Sequence, residues 1–350
     1  MKTSQILSVD LIYNYVIKMS QNFKEAPAVT VRPASTALFT ISSQDRNKTI
    51  AQSRIQPSVS IGTPNYSPYS FAISKAESLL NGFFTRLAVT EITMNWTVPN
   101  INYYTNTMFV KYQVGVNPPI VGTFNFLYPG FHPPNELAGL LELYIQGLDP
   151  TLASATVTYG GINNPVFTVT TNSSTTVAFL PEQVGSPIYD TIGNPIGQIT
   201  ENQKQLFDIF GFKDNNTVLS NIHISSATFC EYTNWVDIVC SQLSYNQNLK
   251  DQMTQPVARD TICRVYLNQN AGSLTGNIIE PSNNAFIPVG SLPFQIYHNY
   301  TLPKQINWTP NQPVGQLQFD LYDDRGNPLI NTVPSALAGE WAMSLLVTEN

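Results

Sequence analysis

Residues 90–98 alternate between apolar and polar side chains. The apolar positions are Ile92, Met94, Trp96 and Val98, and the polar positions between them are Glu91, Thr93, Asn95 and Thr97. Successive side chains of a β-strand point to opposite faces, so this alternation predicts a strand with one buried face.

The same period of two recurs along the chain, at 156–159, 167–170 and 316–321. Between such segments lie clusters of Asn, Asp, Gly and Pro, for example at 160–165 and 323–328. Clusters of this kind favour tight turns between antiparallel strands over crossover helices. Asn117-Pro118-Pro119 is a third such turn. The pattern gives about fourteen candidate strands, spread over the whole chain.

Two amphipathic helices interrupt this pattern. The first is predicted between an N-cap at Asn135 and a stop at Gly147, and it should lie on a sheet. Its apolar face, spaced i, i+3, i+4 and i+7, is formed by Leu137, Leu140, Leu141 and Tyr144. The second spans Gln203 to Phe210 and stops at Gly211. A third candidate, Gln5 to Lys18, does not keep its apolar residues on one face.

These elements predict an all-β, mainly antiparallel fold: an eight-stranded β-sandwich with an inserted helix-plus-hairpin subdomain. We expect an N-terminal arm at 1–53, the first part of the sandwich at 54–129, the inserted subdomain at 130–215 and the second part of the sandwich at 216–350; the resemblance described below implies that this sandwich is a jelly roll. No internal repeat or long flexible linker divides the sequence.

The chain contains unusually few charged residues. Asp, Glu, Lys and Arg make up 11% of the 350 residues, whereas soluble domains have about 25%. Removing a charge from water is costly, so a surface that neighbouring molecules cover favours Asn, Gln, Thr, Ser and Tyr. An alternative stays open, because strands and turns favour Thr, Asn and Tyr for their own reasons.

The net charge of -6 is unevenly distributed. Residues 1–54 contain seven Lys and Arg against three Asp and Glu, which gives +4 there and leaves -10 for the rest. Such an arm could contact nucleic acid or an acidic partner, but its charges are spaced and do not form a patch. We expect neither a signal peptide nor a membrane-spanning helix.

The sequence offers few groups for catalysis or metal binding. Its three histidines, His132, His223 and His298, are far apart, and we expect His132 in a loop and the other two on strand faces. Asp323-Asp324 is interpreted as turn chemistry, with a calcium site as the alternative. The cysteines, Cys230, Cys240 and Cys263, match no metal or disulfide spacing, so reduced, partly buried thiols are expected. We predict no catalytic, cofactor-binding or metal-binding residues.

Several segments, in this order, resemble penton and minor capsid proteins of virophages, polinton-like viruses and related double-stranded DNA viruses. They are a strand entering a Ser-rich, Asp-Arg stretch (Leu38–Asn47), a strand broken at a Pro-Asn step (Ile92–Asn102), a Gly-aromatic loop before a helix (Leu127–Leu137), a Phe-Gly-Phe step (Leu206–Phe212) and a closing strand pair (Gly315–Ile330).

The resemblance implies a jelly-roll subunit of an icosahedral capsid, forming homo-oligomers, with pentamers at fivefold vertices favoured, beside a separate double jelly-roll major capsid protein. It also implies a place in the virion, with synthesis in the host cytoplasm or viral factory, and no small-molecule substrate. The weakly basic arm could clamp a neighbouring subunit or make a weak contact with the genome or an inner layer.

Three other functions stay open. The length also suits a compact double jelly-roll major capsid protein that forms trimers, although no half of the sequence is duplicated. Tyr, Trp and Asn also suit a carbohydrate-binding or receptor-binding β-sandwich. A sandwich-fold hydrolase lacks an evident general base.

Overall fold

The computed structural model of the chain describes residues 36–46, 67–74, 84–126, 130–161, 163–181, 187–189, 195–198, 205–244, 261–267, 278–279, 286–287, 293–307, 314–334 and 337–349. The predicted helix Gln5–Lys18 and most of the arm therefore lie outside the described residues.

Antiparallel strands dominate the described residues. In chain order they are β1 (Thr36–Ser42), β2 (Ser70–Ser74), β3 (Phe84–Trp96), β4 (Thr107–Val114), β5 (Ile120–Asn125), β6 (Thr156–Tyr159), β7 (Phe167–Thr170), β8 (Thr175–Leu180), β9 (Pro187–Tyr189), β10 (Pro195–Gln198), β11 (Ile222–Ile224), β12 (Trp235–Val239), β13 (Thr261–Tyr266), β14 (Ile278–Ile279), β15 (Phe286–Ile287), β16 (Phe294–Asn299), β17 (Gln305–Asn307), β18 (Gln316–Tyr322) and β19 (Trp341–Glu349). The α-helices are α1 (Pro134–Leu148), α2 (Leu206–Ile209) and α3 (Ser241–Ser244), and short 3-10 helices span Ser43–Asp45, Pro150–Leu152, Asp214–Thr217 and Leu329–Asn331.

Eight of these strands form a jelly roll. One sheet has the order β1-β19-β3-β16, with β17 also paired to β3, and the other has the order β13-β12-β18-β2. When the eight main strands are ranked along the chain, the two orders are 1-8-3-6 and 5-4-7-2. The chain thus crosses between the sheets at almost every step, which is the strand order of a jelly-roll sandwich. The predicted fold class is confirmed.

The core of the sandwich lies between these two sheets. The apolar side of the predicted strand 90–98 is buried, as expected, and belongs to the longer strand β3. Across the core, the rings of Phe71, Phe319 and Trp341 pack with their centroids 5.6 to 5.8 Å apart. These rings join β2 and β18 of one sheet to β19 of the other, so aromatic contacts hold the two layers together.

The chain segment between β3 and β12 forms an insertion with its own hydrophobic core. It contains α1, α2, the sheet β5-β4-β8 and the sheet β11-β7-β6. The buried residues of its core run from Ile101 to Cys230. This core extends beyond the predicted subdomain 130–215 at both ends. On the N-terminal side, β4 pairs with β5 and with β8, and not with a sandwich strand. The predicted domain boundaries themselves stay predictions.

The helix α1 differs from its prediction at both ends. Its N-cap is Pro133, not Asn135, and a proline at the first helical position, Pro134, starts the helix without a side-chain cap. The helix continues through Gly147 and ends at Leu148, with Asp149 as its C-cap. The carboxylate of Asp149 accepts a hydrogen bond from the Thr151 amide at 2.9 Å and so caps the next 3-10 helix.

The second predicted helix is shorter than expected, since only Leu206–Ile209 is helical and residues 203–204 lie outside the described part. Its predicted stop is confirmed: Gly211 has a φ of 70°. A Cβ there would also lie 2.6 Å from the Ser226 carbonyl oxygen, so glycine suits this position for two reasons. Across the described residues, no helix is long and apolar enough to span a membrane.

Candidate functional site

The three histidines occupy three separate elements. His132 lies in the loop before α1, where its Nδ1 is 3.1 Å from Glu136 Oε1. His298 lies on β16, where its ring packs 4.3 Å from the ring of Tyr300. His223 lies on β11 and is buried. The loop and strand positions predicted for them are confirmed, and the three are not brought together.

His223 is held as a neutral structural residue. Its Nε2 donates to the Val177 carbonyl oxygen at 2.7 Å, and its Nδ1 accepts from the Asn216 side-chain amide at 3.5 Å. Burial lowers the pKa of His223, because a buried imidazolium loses its hydration. Both ring nitrogens are thus occupied by neighbours within the fold.

Asp323 and Asp324 form a turn after β18, as the sequence predicts. The Asp323 carboxylate accepts hydrogen bonds from the amides of Arg325 and Asn327, at 3.0 and 2.7 Å, and from the Tyr232 hydroxyl at 2.6 Å. Burial raises the pKa of Asp323. These N–H and O–H donors occupy the carboxylate oxygens. The Asp323 side chain therefore stabilises the turn and is poorly placed to bind a cation. Within the described ranges, no group of three or more His, Cys, Asp or Glu could hold a metal ion.

All three cysteines are buried thiols that form no disulfide. Burial raises the pKa of both Cys240 and Cys263 to about 12. A thiol with so high a pKa is almost fully protonated at neutral pH and is a poor nucleophile.

A cleft of about 280 Å³ lies beside β13, the end strand of its sheet. The Tyr300 hydroxyl donates to the Arg264 carbonyl oxygen at 2.7 Å, and the Lys304 ammonium donates to the Thr261 carbonyl oxygen at 2.9 Å. The Arg264 guanidinium is itself bonded to Asp237 at 2.7 Å. These bonds occupy main-chain carbonyls of an end strand, which hinders the addition of a foreign strand there.

The β4–β5 turn carries an exposed apolar surface. Residues 115–121, here named the apolar hairpin tip, are all exposed. Val116 is 99% exposed, Ile120 56% and Val121 53%. Pro118 and Pro119 lie between them, and no residue of the tip is charged.

The apolar hairpin tip is held in place by main-chain hydrogen bonds. The Gly115 amide donates to the Ser174 carbonyl oxygen at 2.9 Å, and the Asn117 amide donates to the Val114 carbonyl oxygen at 3.1 Å. The Gln113 side chain donates to the Asn117 carbonyl oxygen at 2.9 Å. An apolar surface that is already ordered loses little entropy on binding, so the tip is suited to contact another protein.

Sequence reasoning identified Asn117-Pro118-Pro119 as a turn but missed the tip as a contact surface. The sequence did contain a signal for this surface. Turns usually carry polar residues, but here the proline pair lies between Val116 on one side and Ile120 and Val121 on the other.

No protein-family model and no curated protein sequence matches the chain. Among solved structures, it is similar to the mavirus penton protein, with a TM-score of 0.45 and 11% identity over 90% of this chain and 99% of that one. It is also similar to a chain of the Sputnik virophage structure determined by cryo-EM, with a TM-score of 0.40 and 10% identity over 90% of this chain and 98% of that one.

Proposed function

We propose that this protein is a virion structural protein, a penton or minor capsid subunit that assembles into an icosahedral shell. The observation that carries the proposal is the ordered, exposed apolar hairpin tip on a chain with 11% charged residues. The choice of a penton or minor subunit comes from the family resemblance of the sequence.

The energetics favour a role in association. Complete burial of a Val or Ile side chain contributes about 1.5–3 kcal/mol, so Val116, Ile120 and Val121 together supply several kcal/mol. Association costs at least about 4 kcal/mol in lost translational and rotational freedom. The tip therefore needs further contacts around it, and a charge-poor surface makes these contacts less costly to desolvate.

The jelly roll itself favours a single-jelly-roll subunit over the double jelly-roll alternative. In the described part of the insertion, two sheets have three strands each, a third has two, and a 15-residue helix accompanies them. They do not repeat the eight-strand order of the sandwich.

The proposal includes the partners and location that the resemblance implies. Copies of the chain form pentamers, these contact the major capsid protein, and the arm at 1–53 reaches the genome or an inner layer. The protein resides in the virion, is made in the host cytoplasm or viral factory, and acts through assembly without catalysis.

The test compares the wild type with a Val116→Asp/Ile120→Asp variant. Native mass spectrometry and negative-stain images should show fivefold rings for the wild type and monomers for the variant. The melting temperature should change little, because both side chains are exposed. The control is Thr123→Asp, which places one charge at an exposed position of the same hairpin and should leave the rings intact.

Three results would count against this proposal. A wild type that stays monomeric at high concentration would exclude assembly by the chain alone. Rings formed equally well by the double variant would exclude the tip as the contact. Threefold capsomers would favour the trimeric major capsid protein instead.

A further inference from the structure

The strands β1 and β16 form the two edges of one jelly-roll sheet, whose order is β1-β19-β3-β16. On β16, the direction of the main-chain groups follows from a bond just beyond its end, where the Tyr300 amide donates to the Thr90 carbonyl oxygen at 2.8 Å in the register of β16 on β3. Main-chain groups of successive residues in an antiparallel strand point to alternate sides. The amides and carbonyls of Gln295, Tyr297 and Asn299 therefore point away from β3.

The open main-chain groups of β1 follow from the same alternation. The Asn95 amide donates to the Glu340 carbonyl oxygen at 2.9 Å, so the even-numbered residues at this end of β19 turn their main-chain groups towards β3 and the odd-numbered ones towards β1. The register pairs these odd-numbered residues with odd-numbered residues of β1, without a shift. The amides and carbonyls of Thr36, Leu38 and Thr40 therefore point away from β19.

Neither edge is protected. Within the part of the chain that the structure describes, no hydrogen bond reaches these outward-facing main-chain groups. On β13, by contrast, the side chains of Tyr300 and Lys304 occupy main-chain carbonyls. The strand β1 has seven residues and β16 has six, and neither contains a Lys, an acidic residue or a proline. Such residues usually block an edge, so both edges are open to a further strand.

Apolar side chains at both edges are incompletely covered. On the outer face of the sheet, Leu38 is 63% exposed and Tyr297 58%. On the inner face, Phe39 of β1 and Phe294 of β16 pack against the core of the sandwich but are only partly buried. A strand added at each edge would cover these side chains and extend the apolar inner layer.

We propose that β1 of one copy pairs antiparallel with β16 of the next copy, which joins the two sheets into one. The two edges fit each other in direction, because an antiparallel sheet of four strands ends in strands that run in opposite directions. They also fit in their hydrogen-bonding groups. In the register that sets Leu38 opposite Tyr297, the open groups face each other in three successive pairs. The other two pairs are Thr36 with Asn299 and Thr40 with Gln295.

The contact joins two different surfaces of the same chain, so it is head-to-tail. A head-to-tail contact closes into a ring when the rotation between neighbours allows it, as the fivefold rings of the proposed function require. Pairing of β1 with the β1 of another copy would instead stop at a dimer. This inference rests on the proposed assembly function and names the strands through which neighbouring subunits of the ring join.

Cysteine cross-linking tests the register. In Thr40→Cys/Gln295→Cys the two thiols face each other across the contact but lie three strands apart within one copy. The three native cysteines are buried, so a short bis-maleimide reports on the introduced thiols. We expect a ladder of covalent oligomers that ends at the pentamer. The control Thr123→Cys/Gln295→Cys, with one thiol at an exposed position of β5, should stay monomeric on denaturing gels.

Two cross-linking results would overturn the proposal. One is an absence of the ladder from the double variant while the wild type forms rings. The other is a dimer from Thr40→Cys alone in the same yield as from the double variant, because this would show that β1 pairs with β1.

A proline variant tests the hydrogen bonds themselves. Thr40→Pro removes an amide that points away from β19, so a single copy loses no hydrogen bond, and proline is tolerated at such an edge position. In the ring, each contact loses one hydrogen bond and should weaken by about tenfold. The control is Thr123→Pro on the edge strand β5, where the amide also points outward, since the Phe126 amide donates to the Asn106 carbonyl oxygen in the β4–β5 register.

Sedimentation over a range of concentrations compares the two proline variants. Thr40→Pro should need a higher concentration than the wild type to form rings, whereas Thr123→Pro should match the wild type. If the wild type forms rings and Thr40→Pro forms them equally well, this inference fails and the capsid proposal stands. If the wild type is monomeric under all conditions, both fail.

Discussion

Asn100 and His132 are joined by two hydrogen bonds where the chain leaves the sandwich for the insertion. The Asn100 side-chain amide donates to the His132 carbonyl oxygen at 2.7 Å, and the His132 amide donates to Asn100 Oδ1 at 2.9 Å. Asn100 is fully buried. Next to it, the main chains of Ile101 and Gly130 exchange two further bonds, at 3.2 and 2.8 Å. The Pro-Asn step noted in the sequence thus fixes the start of the insertion to the loop before α1.

Replacing Asn100 should destabilise the whole fold. In Asn100→Ala, the amide and carbonyl of His132 lose their partner in a site that water reaches poorly, at a cost of about 1–3 kcal/mol for each unsatisfied group. We expect the free energy of unfolding to fall by about 2–4 kcal/mol in urea titrations. Asn163→Ala, in the exposed β6–β7 turn, is the control and should change it by less than about 0.5 kcal/mol. Equal effects of the two substitutions would contradict this account.

A second prediction concerns Asp237, which is fully buried on β12 and bonded to Arg264 Nε at 2.7 Å and Nη2 at 3.1 Å. Arg264→Met should lower the free energy of unfolding by about 3–5 kcal/mol, because it leaves a buried carboxylate without its partner. The double variant Asp237→Leu/Arg264→Met should recover most of that loss, since it removes both charges. A double-mutant cycle in denaturant measures the coupling, and additive effects of the two substitutions would contradict it.

The sequence predicted which segments form strands better than it predicted which strands pair with each other. Alternation identified β3 and β18 because one face of each strand is buried, and that pattern is local. The pairing of Thr36 with Thr348 across β1 and β19 leaves no local signal, so the jelly-roll order could be expected only from resemblance. The strand β4 alternates like a sandwich strand but pairs within the insertion, since a period of two does not specify which sheet a strand joins.

The candidate surfaces were predicted only in part. Low charge indicated that some surface is covered by neighbours, but composition does not locate it. The exposure of Val116 depends on its place in the turn between β4 and β5, which requires that these two strands pair as a hairpin. The helix N-cap was placed at Asn135 because Asn is a good cap, whereas Pro134, with its fixed φ, starts the helix earlier.

A third prediction concerns the attachment of β1. Of its seven residues only Ile41 is buried, so β1 depends on main-chain bonds to β19 and on a polar clamp at its end. There, Glu340 binds Arg46 Nη1 at 2.7 Å and accepts a hydrogen bond from the Ser43 hydroxyl. In Glu340→Ala, amide hydrogen exchange across Thr36–Ser42 should become about ten- to a hundredfold faster, while β3 stays protected.

The control for the clamp is Glu136→Ala, which removes a partly exposed carboxylate from α1 in the insertion. It should leave exchange in β1 unchanged. Unchanged exchange in Glu340→Ala, or equal acceleration in β1 and β3, would show that the clamp does not act locally on β1.

The last prediction concerns the response to acid. Burial lowers the pKa of His223 below its ordinary value of about 6.5. Between that lowered pKa and about 6.5, the unfolded chain binds more protons than the folded protein, so stability falls as the pH falls. Above about pH 6.5, His223 is neutral in both the folded and the unfolded chain, so its titration no longer lowers the stability. The titration of a single histidine can change the free energy of unfolding by at most about 1.4 kcal/mol per pH unit.

His223→Gln removes this titration, and its amide can still donate to the Val177 carbonyl oxygen. The variant should lose less stability than the wild type between about pH 7 and about pH 5, measured by urea unfolding at each pH. His298→Gln, at a half-exposed position on β16, is the matched control and should keep the wild-type slope. Carboxylates that titrate in this range contribute equally to all three proteins, so the difference in slope isolates His223. Identical slopes for the wild type and His223→Gln would show that this imidazole does not couple folding of the insertion to pH.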